Sequence, residues 1–174
     1  MGNLILQALV LCCILSCGSK IPFSPRPIPV KFEANLDVSL AGTVTLTGGT
    51  SLELSKLKTK PYILILAGET CETCLEEASA LVELFQKEGG IPTNVDLYTV
   101  ILGGFIEDAE SWAQAIGLQW AYGIDPNQDQ IFRKYCTGLT PCVLAVDPVL
   151  KKYTRFIGSS SFEDWQKETL KWEY

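Results

Sequence analysis

Apolar and polar positions along this chain alternate between a period of two and a period near 3.6, and the switches mark out its elements. Phe32–Val38 and Thr43–Thr47 alternate apolar with polar side chains around Ala41-Gly42, which predicts an N-terminal β-hairpin. Leu52-Glu53-Leu54 reads as a short strand or turn. Tyr62–Ala67 is a continuous apolar run, the pattern of a strand covered on both faces. After it, Leu75, Ala78, Val82 and Phe85 fall on one stripe of a helix that ends at Gly89-Gly90. Val95–Leu102 predicts the next strand, and Ile106–Ile116 a helix with Ala109, Trp112, Ala113 and Ile116 inward. Trp120–Ile124, Cys142–Val146 and Tyr153–Ile157 predict three more strands. Gln128–Tyr135 predicts a short helix and Phe162–Trp172 a closing one. The Asp147-Pro148 turn leads straight into the following strand, which makes that pair antiparallel. The order predicts an α/β three-layer sandwich with a mixed central sheet.

The N-terminal segment has a different texture. Leu4–Leu15 is apolar except for Gln7, and no side chain before Lys20 is charged. A run of that length is too short to span a bilayer, which takes about 20 residues. It has the form of a signal-peptide core. Ile14-Leu15-Ser16-Cys17-Gly18 then resembles a bacterial lipobox, in which the cysteine is lipidated and becomes the mature N-terminus. The expectation is a signal peptide over 1–16 with Cys17 as the lipid anchor. A plain secretory signal cut elsewhere, or a short hydrophobic tail, is the alternative. Pro22, Pro25, Pro27 and Pro29 make 17–31 an extended tether, because alternate prolines join neither a helix nor a central strand. At about 3.1 Å per residue it reaches roughly 40 Å from a membrane surface. Residues 32–174 form the remaining domain.

Composition narrows the chemistry. The 174 residues are 47% hydrophobic, enough for one domain with a substantial core. A formal charge of −6 without a basic block argues against a nucleic-acid partner. There is no histidine, hence no imidazole as base, shuttle or metal ligand, and there are seven cysteines. Cys71-Glu72-Thr73-Cys74 stands where the buried strand turns into the amphipathic helix. Two thiols at that spacing open and close a disulfide with little backbone movement, and the helix N-terminus favours a thiolate. Cys71, at the exposed start, is expected to attack, and Cys74, one turn in, to resolve. Glu69, Glu72, Glu76 and Glu77 surround the pair, and no Lys or Arg occurs between Lys60 and Lys87. Those carboxylates oppose the helix dipole, so the expected direction is reduction or neutral exchange rather than strong oxidation. Cys136 and Cys142 admit three readings: free buried thiols, a bridge closed by the Gly138 turn, or a relay to Cys71 and Cys74. A four-cysteine zinc site fits poorly, because Cys74 and Cys136 are far more distant than the about 15–20 residues of zinc ribbons.

With these motifs in order, residues 32–172 resemble the thioredoxin superfamily, in particular the exported TlpA/ResA-like thiol–disulfide oxidoreductases. Four landmarks carry the resemblance. They are Leu54–Pro61 entering the core strand, Cys71–Glu77, Tyr135 leading to Thr140-Pro141, and Val143–Pro148 after it. The resemblance implies that Pro141 is cis and lies against the cysteine pair, while Thr140 and Glu72 help to position an extended substrate segment. It also implies that Glu77 handles the proton of the buried thiol; the alternative for Glu77 is a solvated helix-face charge. Departures include Thr70 in place of the usual Trp, where it can cap the helix, Ile65 in place of a buried acid, and Ser79 in place of a proline. Peroxiredoxin chemistry expects a threonine where Gly68 stands, and copper delivery expects a histidine. The resemblance further implies no cofactor, a monomer in the cell envelope or periplasm, and substrates that are exported proteins with cysteine pairs. Apocytochrome c is one such substrate by likeness alone. Electrons would come from a membrane or periplasmic thiol donor. Gly18 after Cys17 points to the outer membrane where the enterobacterial sorting rule applies. The rival function is a non-enzymatic binding module of the same fold.

Overall fold

The computed structural model describes residues 30–35, 40–127, 130–136, 138–161 and 164. The expected signal peptide, Cys17, most of the tether and all of the closing helix but Asp164 lie outside them. Eight strands form one mixed sheet: β1 (Val30–Asn35), β2 (Thr43–Leu46), β3 (Ser51–Glu53), β4 (Tyr62–Gly68), β5 (Asp96–Leu102), β6 (Ala121–Ile124), β7 (Cys142–Asp147) and β8 (Lys152–Ile157). Their order across the sheet is β1-β8-β7-β4-β5-β6-β2-β3. The helices are α1 (Glu72–Lys87), α2 (Ile106–Ile116) and α3 (Gln130–Tyr135). Among the described residues no helix is long and apolar enough to cross a membrane.

The continuous apolar run of β4 is explained by burial on both sides. Tyr62, Leu64 and Leu66 pack with Leu144, Val146, Ile131 and Tyr135 on the α3 side. Ile63 and Ile65 pack with Leu81, Val82 and Phe85 of α1, and Ala67 packs with Ala78 of α1 and with Ala109 and Trp112 of α2. Helices therefore cover both faces of the sheet. β4 runs parallel to β5 and antiparallel to β7, with Gly68 opposite Leu102 and Leu66 opposite Cys142. The ends of β4 and β5 and the start of β7 thus lie on one edge, where the loops carrying Cys71, Phe105 and Pro141 converge.

Two expectations need correction. β1 does not pair with β2: it lies antiparallel to β8 at one end of the sheet, while β2 pairs with β6 and β3 at the other. The N-terminal hairpin is β2–β3. Alternation marks a strand with one apolar face but does not name its partner, and β8 offers a free edge that β1 closes. On α1 the buried stripe is Cys74, Ala78, Leu81, Val82 and Phe85, with Leu75 only half-buried. Cys74 packs with Ala67, Ile101, Ala109 and Trp112, and Leu75 lies at the margin of the same cluster.

Candidate active site

β4 ends at Gly68, and the Cys71 N–H donates to the Gly68 carbonyl at 3.1 Å, closing a tight turn through exposed Glu69 and Thr70. Cys71, not Thr70, is the N-cap of α1: its Sγ accepts from the Cys74 N–H at 3.2 Å. Cys71 and Cys74 are bridged, with Cα atoms 5.2 Å apart. Cys71 is half-buried and Cys74 is 2% exposed. The outer cysteine is therefore the more accessible of the two, and the inner one is shielded. When the bridge is open, the same N–H and the helix dipole stabilise a thiolate on Cys71.

The Thr140–Pro141 peptide bond is cis. A methyl group placed on Gly68 would lie 3.4 Å from Cys71 Cβ and 3.5 Å from Thr140 Oγ1, so both side chains border the space above that glycine. The Pro141 carbonyl accepts from the Gly158 N–H at 2.9 Å, which fastens this loop to the end of β8. Glu72 is exposed in the first turn of α1, and Glu69 and Glu76 are exposed beside it. Ile65, where the resemblance has an acid, is 3% exposed within the α1-side core.

Glu77 is half-buried, and its Oε1 accepts from the Ser160 N–H at 2.7 Å and the Ser160 hydroxyl at 3.2 Å. It is not the solvated charge of the alternative reading. One turn beyond Cys74, it ties α1 to the segment after β8 whose Gly158 holds Pro141. Sequence reasoning missed Ser160, which no spacing distinguishes from its serine neighbours. It also missed exposed Phe105 and Leu139, at 77% and 62%, which stand in the loops of the same sheet edge. Phe105 follows Gly103-Gly104, and an apolar residue in a glycine turn is the signal that was available. Asp108 Oδ2 accepts from the Phe105 N–H at 2.7 Å and fixes the start of α2, leaving the phenyl ring outward.

Cys136 and Cys142 form a second bridge, with Cα atoms 6.3 Å apart. That selects the bridged state among the three readings. The Cys142 side chain, however, belongs to the α3-side core with Leu66 and Leu144, on the other face of the sheet from Cys71 and Cys74. Succession to Pro141 brings its backbone, not its sulfur, toward the first pair. Among the described residues no group of three or more His, Cys, Asp or Glu is placed to hold a metal ion. Burial, with neighbouring Tyr135 and Tyr98, pushes the Tyr62 hydroxyl well above its usual value; it lies at the far end of β4 and takes no part here.

No family model matches the chain, and no curated protein does. Solved structures do match. The DsbF protein of MTB superposes with a TM-score of 0.63 at 15% identity, over 75% of this chain and 94% of that one. The thioredoxin domain of a thiol-disulfide oxidoreductase from Bacteroides vulgatus gives 0.62 at 19%, over 80% and 97%. A secreted disulfide oxidoreductase of Mycobacterium tuberculosis, homologous to E. coli DsbE, gives 0.57 at 16%, over 75% and 92%. The chain has the thioredoxin fold.

Proposed function

We propose that this protein is a thiol–disulfide oxidoreductase that reduces or exchanges disulfides through Cys71 and Cys74. The observation that carries the reading is a helix-capping, half-buried Cys71 bridged to a buried Cys74, with Cys71 Cβ and Thr140 Oγ1 both bordering Gly68. In the reduced enzyme the Cys71 thiolate attacks one sulfur of a substrate disulfide, forming a mixed disulfide and expelling a substrate thiolate. Cys74, on losing its proton, attacks Cys71 Sγ, closes the Cys71–Cys74 bond and releases the second substrate sulfur. Two electrons pass from enzyme to substrate, and the two protons of the enzyme thiols end on the substrate's. A dithiol donor reverses the change in the enzyme by the same two exchanges.

Thr140 offers its backbone to an extended segment lying across the bridge, and Glu72 stands at its side. Supporting a reducing direction, the exposed carboxylates Glu69, Glu72 and Glu76 oppose the thiolate that a strong oxidant stabilises. The lipobox-like Ser16-Cys17-Gly18 supports export and anchoring through Cys17. The substrates are then other exported proteins with cysteine pairs, and the donor a thiol carrier at the membrane or in the periplasm. The protein acts as a monomer. Reduction of insulin disulfides, followed by turbidity with dithiothreitol as donor, tests the reading.

Glu77 is assigned the proton of Cys74 as well as the tie to Ser160, and two variants separate these roles. Glu77→Ala leaves the Ser160 N–H without this acceptor and lowers stability by about 1–3 kcal/mol in urea unfolding. Glu77→Gln keeps an acceptor oxygen and is expected to retain most of that stability. It slows release of the mixed disulfide by about 100-fold at neutral pH if the carboxylate moves the proton. Equal release rates for Glu77→Gln and the natural protein would leave Glu77 a tie alone.

A further inference from the structure

The exchange cycle does not use the second bridge, although it flanks the loop on which substrate positioning depends. Cys136 follows the last residue of α3 and Cys142 opens β7, so the bridge closes a short loop that carries Leu139, Thr140 and Pro141. We propose that Cys136–Cys142 is a positioning clamp that fixes the Thr140–Pro141 loop beside Cys71, and that it carries no electrons in the cycle. The proposal rests on the exchange role of Cys71 and Cys74.

Placement supports the second half of that statement. Along β7, Cys142, Leu144 and Val146 belong to the α3-side core, while Val143 and Ala145 belong to the α1-side core. The Cys136 and Cys142 side chains therefore pack in the core of one face, and those of Cys71 and Cys74 against the core of the other. Exchange requires a thiolate in direct line with a disulfide sulfur. Packing in separate cores disfavours that approach of Cys71 or Cys74 to Cys136 or Cys142. Solvent thiols are hindered too, since Cys136 is 7% exposed and Cys142 wholly buried.

The loop's attachments support the first half. At its start, the Tyr135 carbonyl accepts from Arg155 Nη1 at 2.7 Å and the Cys136 N–H donates to the Phe132 carbonyl at 2.8 Å. At its end, the Pro141 carbonyl accepts from Gly158. Between these roots Gly138 takes φ +88° and both Gly138 and Leu139 are exposed. A loop pinned at both ends but solvated in the middle keeps conformational freedom, and a covalent link between its ends removes much of it. The side chains so fixed are Thr140, which with Cys71 borders the space above Gly68, and Leu139, which offers an apolar surface to an arriving segment. Substrates that lie in the groove should feel the clamp. Small disulfides that touch only the sulfur should not.

The test compares the natural protein with Cys136→Ala/Cys142→Val, using a cysteine-bridged peptide and a small aromatic disulfide as substrates and dithiothreitol as donor. The expected result is a KM for the peptide raised by about tenfold, with kcat and the rate toward the small disulfide within about twofold. A bridge that serves stability alone would lower the melting temperature and leave KM unchanged, which overturns the clamp. A second arm needs no variant: brief dithiothreitol treatment of the natural protein, then alkylation and peptide mass mapping. Labelling of Cys71 and Cys74 at least about 100-fold faster than Cys136 and Cys142 supports the proposal, and equal rates overturn it. A natural protein that reduces neither substrate overturns the exchange reading and the clamp with it. Normal activity with an unchanged variant KM overturns the clamp only.

Discussion

Cys71→Ser abolishes disulfide reduction, with turnover falling at least about 1,000-fold, to the level of dithiothreitol alone. The serine hydroxyl keeps the position and can still accept from the Cys74 N–H, but at neutral pH it supplies neither the nucleophile nor the sulfur that must hold the mixed disulfide. Cys74→Ser behaves differently. Cys71 is then free to attack but nothing resolves the product, so a mixed disulfide with the substrate accumulates and is seen as a mass shift lost on reduction. The contrast discriminates between chemistry and binding. A binding module of this fold would hold its partner equally well with serine at either position. Insulin reduction that survives Cys71→Ser would contradict the mechanism.

Gly123→Val destabilises the protein by at least about 3 kcal/mol in urea unfolding, the range of a steric fault in a closed interior. Gly123 pairs with Leu46 where β6 meets β2, and it is buried. A Cβ there would overlap the Thr45 carbonyl and the Leu46 Cα. Those are backbone atoms, so no rotamer change relieves the clash; β2 must move off β6 and carry β3 with it. That exposes Val44, which is fully buried on β2. The site lies on β4, β7 and α1, away from this seam. Insulin reduction per folded molecule should therefore stay near the natural rate at low temperature while the unfolding midpoint drops. A valine variant as stable as the natural protein would show that β2 is not held where it is described.

What the sequence disclosed follows from how far each signal reaches. The β4 run, the α2 periodicity and the Cys71-x-x-Cys74 turn are local: their pattern encodes burial on both faces, one apolar stripe, or a strand-to-helix switch, and the structure has all three. Pairing across the sheet is not local. β1 carries a strand pattern that suits either β2 or β8, and only the assembled sheet shows that the free edge of β8 receives it. The same limit applies to the sulfurs. Which face of β7 holds Cys142 depends on register, because a shift of one residue would have turned it toward Cys74. Glu77 was legible as a carboxylate near the pair, but its partner Ser160 is supplied by a loop distant in sequence. Thr140 and Pro141 came from resemblance rather than from any property of those residues alone.

The central claim is that Cys71 and Cys74 form a reversible two-electron pair open to a visitor. Equilibration of the protein across a series of glutathione ratios, followed by acid quenching, alkylation and peptide mass mapping, measures it directly. The account predicts that Cys71 and Cys74 gain label together in one step, at a midpoint between about −180 and −270 mV, while Cys136 and Cys142 stay bridged. A Cys71–Cys74 bond that remains closed across the series, or label that appears on Cys136 and Cys142 first, would contradict it.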